Sequence, residues 1–148
     1  SGVGYLKLGA ESECGTIVTP ELSCLSGNAK IKVSFDASPY QEVPKMDPLT
    51  MKILVIDGAS SNKVEKGDQV QGEDATYSAT CVNVIMGGTT TVAQTFSLSS
   101  TYGYAPYSYE ISGVTPTSRI AIATDRNGVA GQHRCYVDNI KIEVVAYE

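Results

Sequence analysis

The chain has 148 residues, of which 42% are hydrophobic and 18% charged, and its formal net charge is −5. This length suits one domain with a sizeable core. No run approaches the roughly 20 apolar residues that a membrane helix needs, so we expect no direct membrane insertion. The negative charge, without a lysine or arginine run, argues against nucleic acid as a partner.

Three predicted strands open the chain, separated by polar turns: residues 4–9, 16–19 and 29–37. In the third strand, Ile31, Val33 and Phe35 alternate with polar residues, which is typical of an antiparallel sheet with one solvated face. Prolines at positions 39, 44 and 48 predict that residues 38–48 form a surface loop.

The middle of the chain continues this rhythm of short strands and turns. Residues 49–56 predict another strand, and residues 59–75 a polar loop with one short strand at 63–65. We expect strands at 76–86 and 89–97 to form a hairpin across Gly87-Gly88.

A tyrosine-bearing loop at 99–106 precedes the last third of the chain. A strand at 107–111 is expected to end in a turn at Ser112-Gly113. Residues 118–124 predict a further strand with Ile120 and Ile122 inward, followed by a turn at 125–128.

The closing strand, residues 134–145, carries one conspicuous polar residue. Alternation puts Tyr136, Ile140, Ile142 and Val144 on one apolar face, and Asp138 falls on that same face. A buried carboxylate is costly unless it is paired, hydrogen-bonded or bound to a metal. We therefore expect either a local polar lock or a cation site at Asp138.

About nine or ten short strands without helical periodicity predict an all-β fold. Because no repeat or low-complexity linker interrupts residues 1–148, we expect one domain, an antiparallel β-sandwich.

Four cysteines lie far apart, without a C-x-x-C pair that would indicate zinc: Cys14, Cys24, Cys81 and Cys135. Two disulfides and free buried thiols are both open interpretations. No signal peptide is visible, and the abrupt start in a strand-like pattern suggests a processed form or a part of a larger protein.

Tyrosines at 102, 104, 107 and 109 make the most unusual local composition in the chain. An aromatic ring offers a flat apolar face to the C–H face of a sugar, and its hydroxyl adds a hydrogen bond. We therefore single out Tyr102, Tyr104 and Tyr107 as carbohydrate contacts, with Tyr40 and Arg126 on other loops. The alternative is that these rings cover the edge of the sandwich.

Catalytic patterns are weak in this sequence. His133 is the only histidine, no G-x-S-x-G elbow is present, and no carboxylate spacing indicates a glycosidase pair. We expect a protein that is not an enzyme.

Three segments together resemble a known family: residues 4–22, residues 29–37, and Arg119-Ile120-Ala121-Ile122 combined with Tyr136-Val137-Asp138-Asn139-Ile140-Lys141-Ile142. Their order and spacing are similar to the galactose-binding-like jelly rolls, the architecture of many carbohydrate-binding modules of secreted and surface proteins in polysaccharide-degrading Gram-negative bacteria.

This resemblance implies a jelly roll, a secreted or cell-surface location and a structural calcium ion. In the family, an aspartate of the closing strand ligates calcium together with oxygens from the N-terminal region. Asp138 matches that position, and Glu11 and Glu13 are the candidate partners, while Asn139 stands where the pattern has a second acidic residue.

The sequence thus predicts a non-catalytic carbohydrate-binding module. The alternative is a structural or adhesive module of a larger surface protein that contacts neighbouring domains and binds no glycan. Clustered exposed aromatics favour the first, and a single apolar patch favours the second.

Overall fold

The computed structural model describes residues 4–9, 15–40, 50–59, 65–66, 84–85, 88–99, 101–125 and 134–148. Over these ranges the chain forms β-strands and no helix, and so no helix that could span a membrane. The strands are β1 (Leu6–Leu8), β2 (Thr16–Val18), β3 (Ala29–Pro39), β4 (Thr50–Asp57), β5 (Glu65–Lys66), β6 (Val84–Ile85), β7 (Thr89–Ser97), β8 (Ala105–Val114), β9 (Arg119–Asp125) and β10 (Cys135–Tyr147).

Eight of these strands form two antiparallel sheets of four. Sheet A has the order β1-β10-β3-β8, and sheet B has the order β2-β9-β4-β7. The pairing is nested, because β4 pairs with β7, β3 with β8, β2 with β9 and β1 with β10. The predicted antiparallel β-sandwich is therefore confirmed.

The main core lies between the two sheets. Ile31, Val33 and Phe35 of β3 are at most 2% exposed, and Ile120 and Ile122 of β9 are at most 3% exposed, so the predicted inward positions of both strands are confirmed. Strand β4 contributes Met51, Ile53 and Val55 to the same core.

Sheet B also buries residues on its other face. Leu54 and Ile56 of β4 pack with Ala121 and Ala123 of β9 in a second, smaller cluster, and all four are fully buried. Burial on both faces explains why β4 has a nearly continuous apolar sequence instead of a strict alternation.

An aromatic cluster fills the core between β3, β7 and β8. Phe35 stacks on Tyr107 at 5.8 Å between ring centroids, and Phe96 lies 5.5 Å from Tyr107 and 4.8 Å from Tyr109. Burial raises the pKa of the Tyr109 phenol, followed by a smaller effect of the neighbouring Tyr107. These two tyrosines therefore belong to the packing between the sheets.

The predicted surface loop at 38–48 is wrong at its start, because β3 continues through Ser38 and Pro39. Pro39 is opposite Cys135 of β10 and is the last residue of β3. A proline is tolerated there because no further strand residue follows whose hydrogen bonds it could disrupt. Ser38 is 1% exposed. Residues 41–48 of the predicted loop lie outside the described ranges.

The described residues do not form the predicted hairpin across Gly87-Gly88, of which residues 76–83 and 86–87 lie outside the described ranges. Strand β7 pairs with β4, whereas β6 pairs with β5, which includes Glu65 of the short strand expected at 63–65. Gly88 has a φ of 76°, and a Cβ there would collide with the carbonyl oxygen of Asp57. This glycine thus permits the close approach of the start of β7 to the end of β4.

The turn expected at Ser112-Gly113 is a β-bulge within β8. Ala29 pairs with Val114 and Ile31 with Ile111, so β8 has one residue more than β3 between these two pairs. Gly113 has a φ of 74°, and its N–H donates to Oε2 of Glu148 at 2.9 Å. The positive φ is the usual reason for glycine in a bulge.

Two of the four cysteines lie in the described ranges, and both are free thiols. Cys24 is exposed, whereas Cys135 is fully buried in the core, and burial raises the pKa of its thiol to about 12. Cys14 and Cys81 lie outside these ranges.

Replacing Phe35 with alanine should lower the free energy of unfolding by about 3–5 kcal/mol, since it removes the centre of the aromatic cluster. Urea unfolding measures the loss. Ser34→Ala, on the opposite face of the same strand, is the control and should change stability by less than about 0.5 kcal/mol. Equal losses in the two variants would contradict this description of the core.

Alkylation of the native protein at pH 8 should modify Cys24 and leave Cys135 unmodified until the protein unfolds, because a buried thiol of high pKa forms little thiolate. Peptide mass spectrometry after iodoacetamide distinguishes the two sites.

The raised pKa of Cys135 also makes the free energy of unfolding depend on pH. Its contribution is fully present below the thiol pKa of the unfolded chain and decreases as pH rises from there toward about 12, because only the unfolded chain releases the proton in that interval. Cys135→Ala should flatten the alkaline decline in unfolding free energy measured from pH 8.5 to 10.5.

Candidate functional site

Strand β10 changes the face that it presents to the core. Cys135 and Val137 are at most 1% exposed and point inward, so Tyr136 and Asp138 between and beyond them point outward. Further along, Ile142 packs against the core opposite Val33. The prediction that Tyr136 and Asp138 share the inner face with Ile142 is therefore wrong.

A β-bulge between Asp138 and Lys141 causes this change. The pairing with β3 shifts there, from Asp138 opposite Asp36 to Lys141 opposite Ser34. One inserted residue exchanges the two faces of a strand because side chains alternate with a period of two.

Asn139 forms the bulge in the left-handed conformation, with a φ of 52°. Its backbone N–H donates to Oδ1 of Asp138 at 2.8 Å, and its side-chain amide donates to Oδ2 of Asp36 at 2.8 Å. Asparagine is one of the few residues that tolerate this conformation. The predicted polar lock thus exists, but on the outside of sheet A.

Because Tyr136 points outward, it lies with four other tyrosines on the outer face of sheet A. We call this surface the tyrosine face. Its members are Tyr5, Tyr40, Tyr102, Tyr104 and Tyr136.

Tyr136 lies at the centre of the tyrosine face. The ring of Tyr5 meets it edge-on, at 5.1 Å between centroids and an angle of 86°, and the ring of Tyr40 lies 5.8 Å away. Burial raises the pKa of Tyr136, with smaller contributions from the neighbouring phenols. The edge-to-face geometry of Tyr5 and Tyr136 is one of the favourable arrangements for aromatic pairs.

Tyr40 is held by two cations. The guanidinium carbon of Arg134 lies 4.0 Å from the ring centroid and the ammonium nitrogen of Lys7 lies 4.8 Å from it. The backbone N–H of Tyr40 also donates to the carbonyl oxygen of Arg134 at 3.2 Å. These cation–π contacts fix the ring in place and bring the two cations to one end of the tyrosine face.

The loop that carries Tyr102 and Tyr104 is anchored to β3. The N–H of Gly103 donates to Oγ of the buried Ser38 at 3.1 Å. Tyr102 remains 54% exposed and Tyr104 50% exposed, and Tyr5 is 61% exposed. Three large rings are therefore available to a ligand on a surface whose backbone is ordered by the sheet.

Asp138 and Asp36 occupy the other end of the tyrosine face. They are directly opposite each other on neighbouring strands, and both are half-buried. Partial burial raises the pKa of Tyr104, and the next largest cause is the negative charge of Asp138. The face thus combines exposed rings with hydrogen-bond acceptors.

The structure brings together three of the predicted sugar contacts, Tyr40, Tyr102 and Tyr104. Tyr107 is separate from them: its ring is half-buried between the sheets, and its hydroxyl accepts a hydrogen bond from the N–H of Ser99 at 3.0 Å. Arg126, Glu11 and Glu13 lie outside the described ranges.

Sequence reasoning missed two members of the tyrosine face, Tyr5 and Tyr136. A strict alternation without the bulge predicts Tyr136 on the inner face. The available signal was Asn139, since an asparagine after an aspartate within an apolar strand is compatible with a left-handed bulge residue.

Calcium at Asp138 stays a prediction. Within the described ranges, no three histidine, cysteine, aspartate or glutamate side chains are grouped so that they could hold a metal ion.

Comparison with known proteins gives no match to a family model, to a curated protein or to a solved structure.

Substituting Asn139 tests the conformation of the bulge. Asn139→Ala should lower the free energy of unfolding by about 1–2 kcal/mol, since alanine is strained at positive φ and loses the bond to Asp36. Asn139→Gly should lower the free energy of unfolding by less, because glycine adopts this φ without strain. Urea unfolding of both variants measures the difference, and a larger loss for glycine would show that the φ is not the determining factor.

Proposed function

We propose that this domain is a non-catalytic module that binds carbohydrate through the tyrosine face. The observation that carries the proposal is the cluster of five tyrosines on one sheet surface, with Tyr5, Tyr102 and Tyr104 at least half exposed. A contiguous group of exposed aromatic rings is uncommon on a protein surface without a binding partner.

The chemistry of the surface supports a sugar as that partner. Tyrosine offers a rigid ring for the apolar C–H face of a sugar and a hydroxyl for its polar groups, at a low cost in side-chain entropy. Asp36 and Asp138 add carboxylate oxygens that accept hydrogen bonds from sugar hydroxyls. The rings and acceptors are carried by paired strands and an anchored loop, which limits the ordering cost of binding.

We also propose that the sandwich is a jelly roll of the galactose-binding-like kind. The nested pairing of eight strands supports this, since it corresponds to one long antiparallel hairpin rolled into two sheets. The proposal includes the secreted or cell-surface setting that the family resemblance implies.

A different part of β10 favours the alternative, a structural module that packs against a neighbouring domain. Val144, Val145 and Tyr147 are 44%, 45% and 53% exposed, at the end of the strand remote from Tyr136. Such exposed apolar residues suit a domain contact as well as a solvated strand end.

A glycan array with the purified domain tests the proposal. Tyr104→Ala should reduce binding of the recognised glycan by about tenfold, from the loss of one stacking ring and its hydroxyl. Tyr147→Ala is the matched control, because it removes an equally exposed tyrosine outside the tyrosine face, and it should leave binding unchanged.

The array should be run with calcium and again with a chelator. Loss of binding in the chelator would indicate that calcium supports the site. Absence of binding to a broad panel in both conditions would contradict the carbohydrate proposal and favour the structural module. Equal effects of Tyr104→Ala and Tyr147→Ala would contradict the tyrosine face as the site.

A further inference from the structure

The charges around the tyrosine face are unevenly distributed. Lys7 and Arg134 both make cation–π contacts with the ring of Tyr40. Tyr104 directly precedes β8, whose Pro106 is opposite Asp36, and Asp36 is in turn opposite Asp138. A ligand seated on the ring of Tyr104 therefore meets the acidic end of the surface.

The two carboxylates at that end are opposed. Asp36 and Asp138 are cross-strand partners, and like charges in directly opposite positions destabilise a sheet. Asn139, an uncharged residue, donates one hydrogen bond to each of these two side chains. Their negative charge is thus opposed by hydrogen bonds from an uncharged residue.

From this arrangement we infer that the ligand of the tyrosine face is a carbohydrate without acidic groups, whose hydroxyls donate hydrogen bonds to Asp36 and Asp138. The inference rests on the proposed function and narrows its ligand class. Two ionised carboxylates accept hydrogen bonds only, so they suit sugar hydroxyls as donors. A uronate or sulfate at the same position would add a third negative charge, which a complementary surface avoids.

Matched oligosaccharides test the inference by calorimetry: neutral hexose oligomers, and uronic acid oligomers of the same linkage and length. The neutral oligomer should bind at least about tenfold more tightly. Its affinity should change little between 50 and 500 mM NaCl, whereas any weak binding of the uronic acid oligomer should strengthen as salt screens the repulsion.

Asp138→Asn assigns the preference to the carboxylate. The substitution should lower the affinity for the neutral oligomer by about tenfold, since a hydrogen bond to a charged acceptor is stronger than one to an amide. It should also reduce the preference for the neutral oligomer over the uronic acid oligomer. Glu110→Gln is the matched control: it removes the same charge from the outer face of sheet A, opposite Lys32, and should leave both affinities unchanged.

Thermal unfolding of Asp138→Asn distinguishes a binding effect from a folding defect. Asparagine has nearly the same shape and removes the repulsion with Asp36, so the melting temperature should stay the same or rise. The inference is overturned if the uronic acid oligomer binds more tightly, or if Asp138→Asn leaves the affinity for the neutral oligomer unchanged. If no carbohydrate of either kind binds, it is the proposed function that fails.

Discussion

The bulge at Asn139 is the feature on which the candidate site depends. Before it, β10 directs Cys135 and Val137 into the core; after it, Ile142 takes the inward position. Without the inserted residue, an alternation continued back from Ile142 would put Tyr136 and Asp138 into the core. One residue at positive φ thus allows β10 to pack against the core on both sides of the bulge and to supply the centre of the tyrosine face.

The central strands of sheet A have two functions at the same time. In β3, Phe35 packs between the sheets while the neighbouring Asp36 faces the surface beside Asp138. The outer face of sheet A is therefore supported by a strand whose other face is buried in the core, and the positions of its acceptors are set by strand register. Such a surface is preorganised, because the groups that would contact a ligand need little further ordering.

The strands with simple alternation could be predicted from the sequence: in β3 one buried face imposes its period on the residues, and in β9 large Ile120 and Ile122 alternate with small alanines. The face of Tyr136 and Asp138 could not, since a bulge reverses the faces without altering the composition. The partner of β7 could not be predicted either. Gly87-Gly88 has the local signature of a hairpin, but β7 pairs with β4, which is distant in sequence. Tyr104 and Tyr107 are close in sequence, but β8 begins between them and the two rings lie on opposite sides of sheet A.

The nested pairing of the strands has a consequence for the order in which the fold assembles. In the two four-stranded sheets, the innermost strand pair joins Asp57 to Thr89, whereas the outermost strand pair joins Leu6 to Val137, near the two ends of the described chain. The entropy of loop closure increases with the length of chain between partners, unless inner pairs have already shortened it. Strand formation is therefore expected to proceed outward from β4 and β7. The surface around Tyr5 and Tyr136, which needs β1 against β10, would then be completed in the last steps of folding.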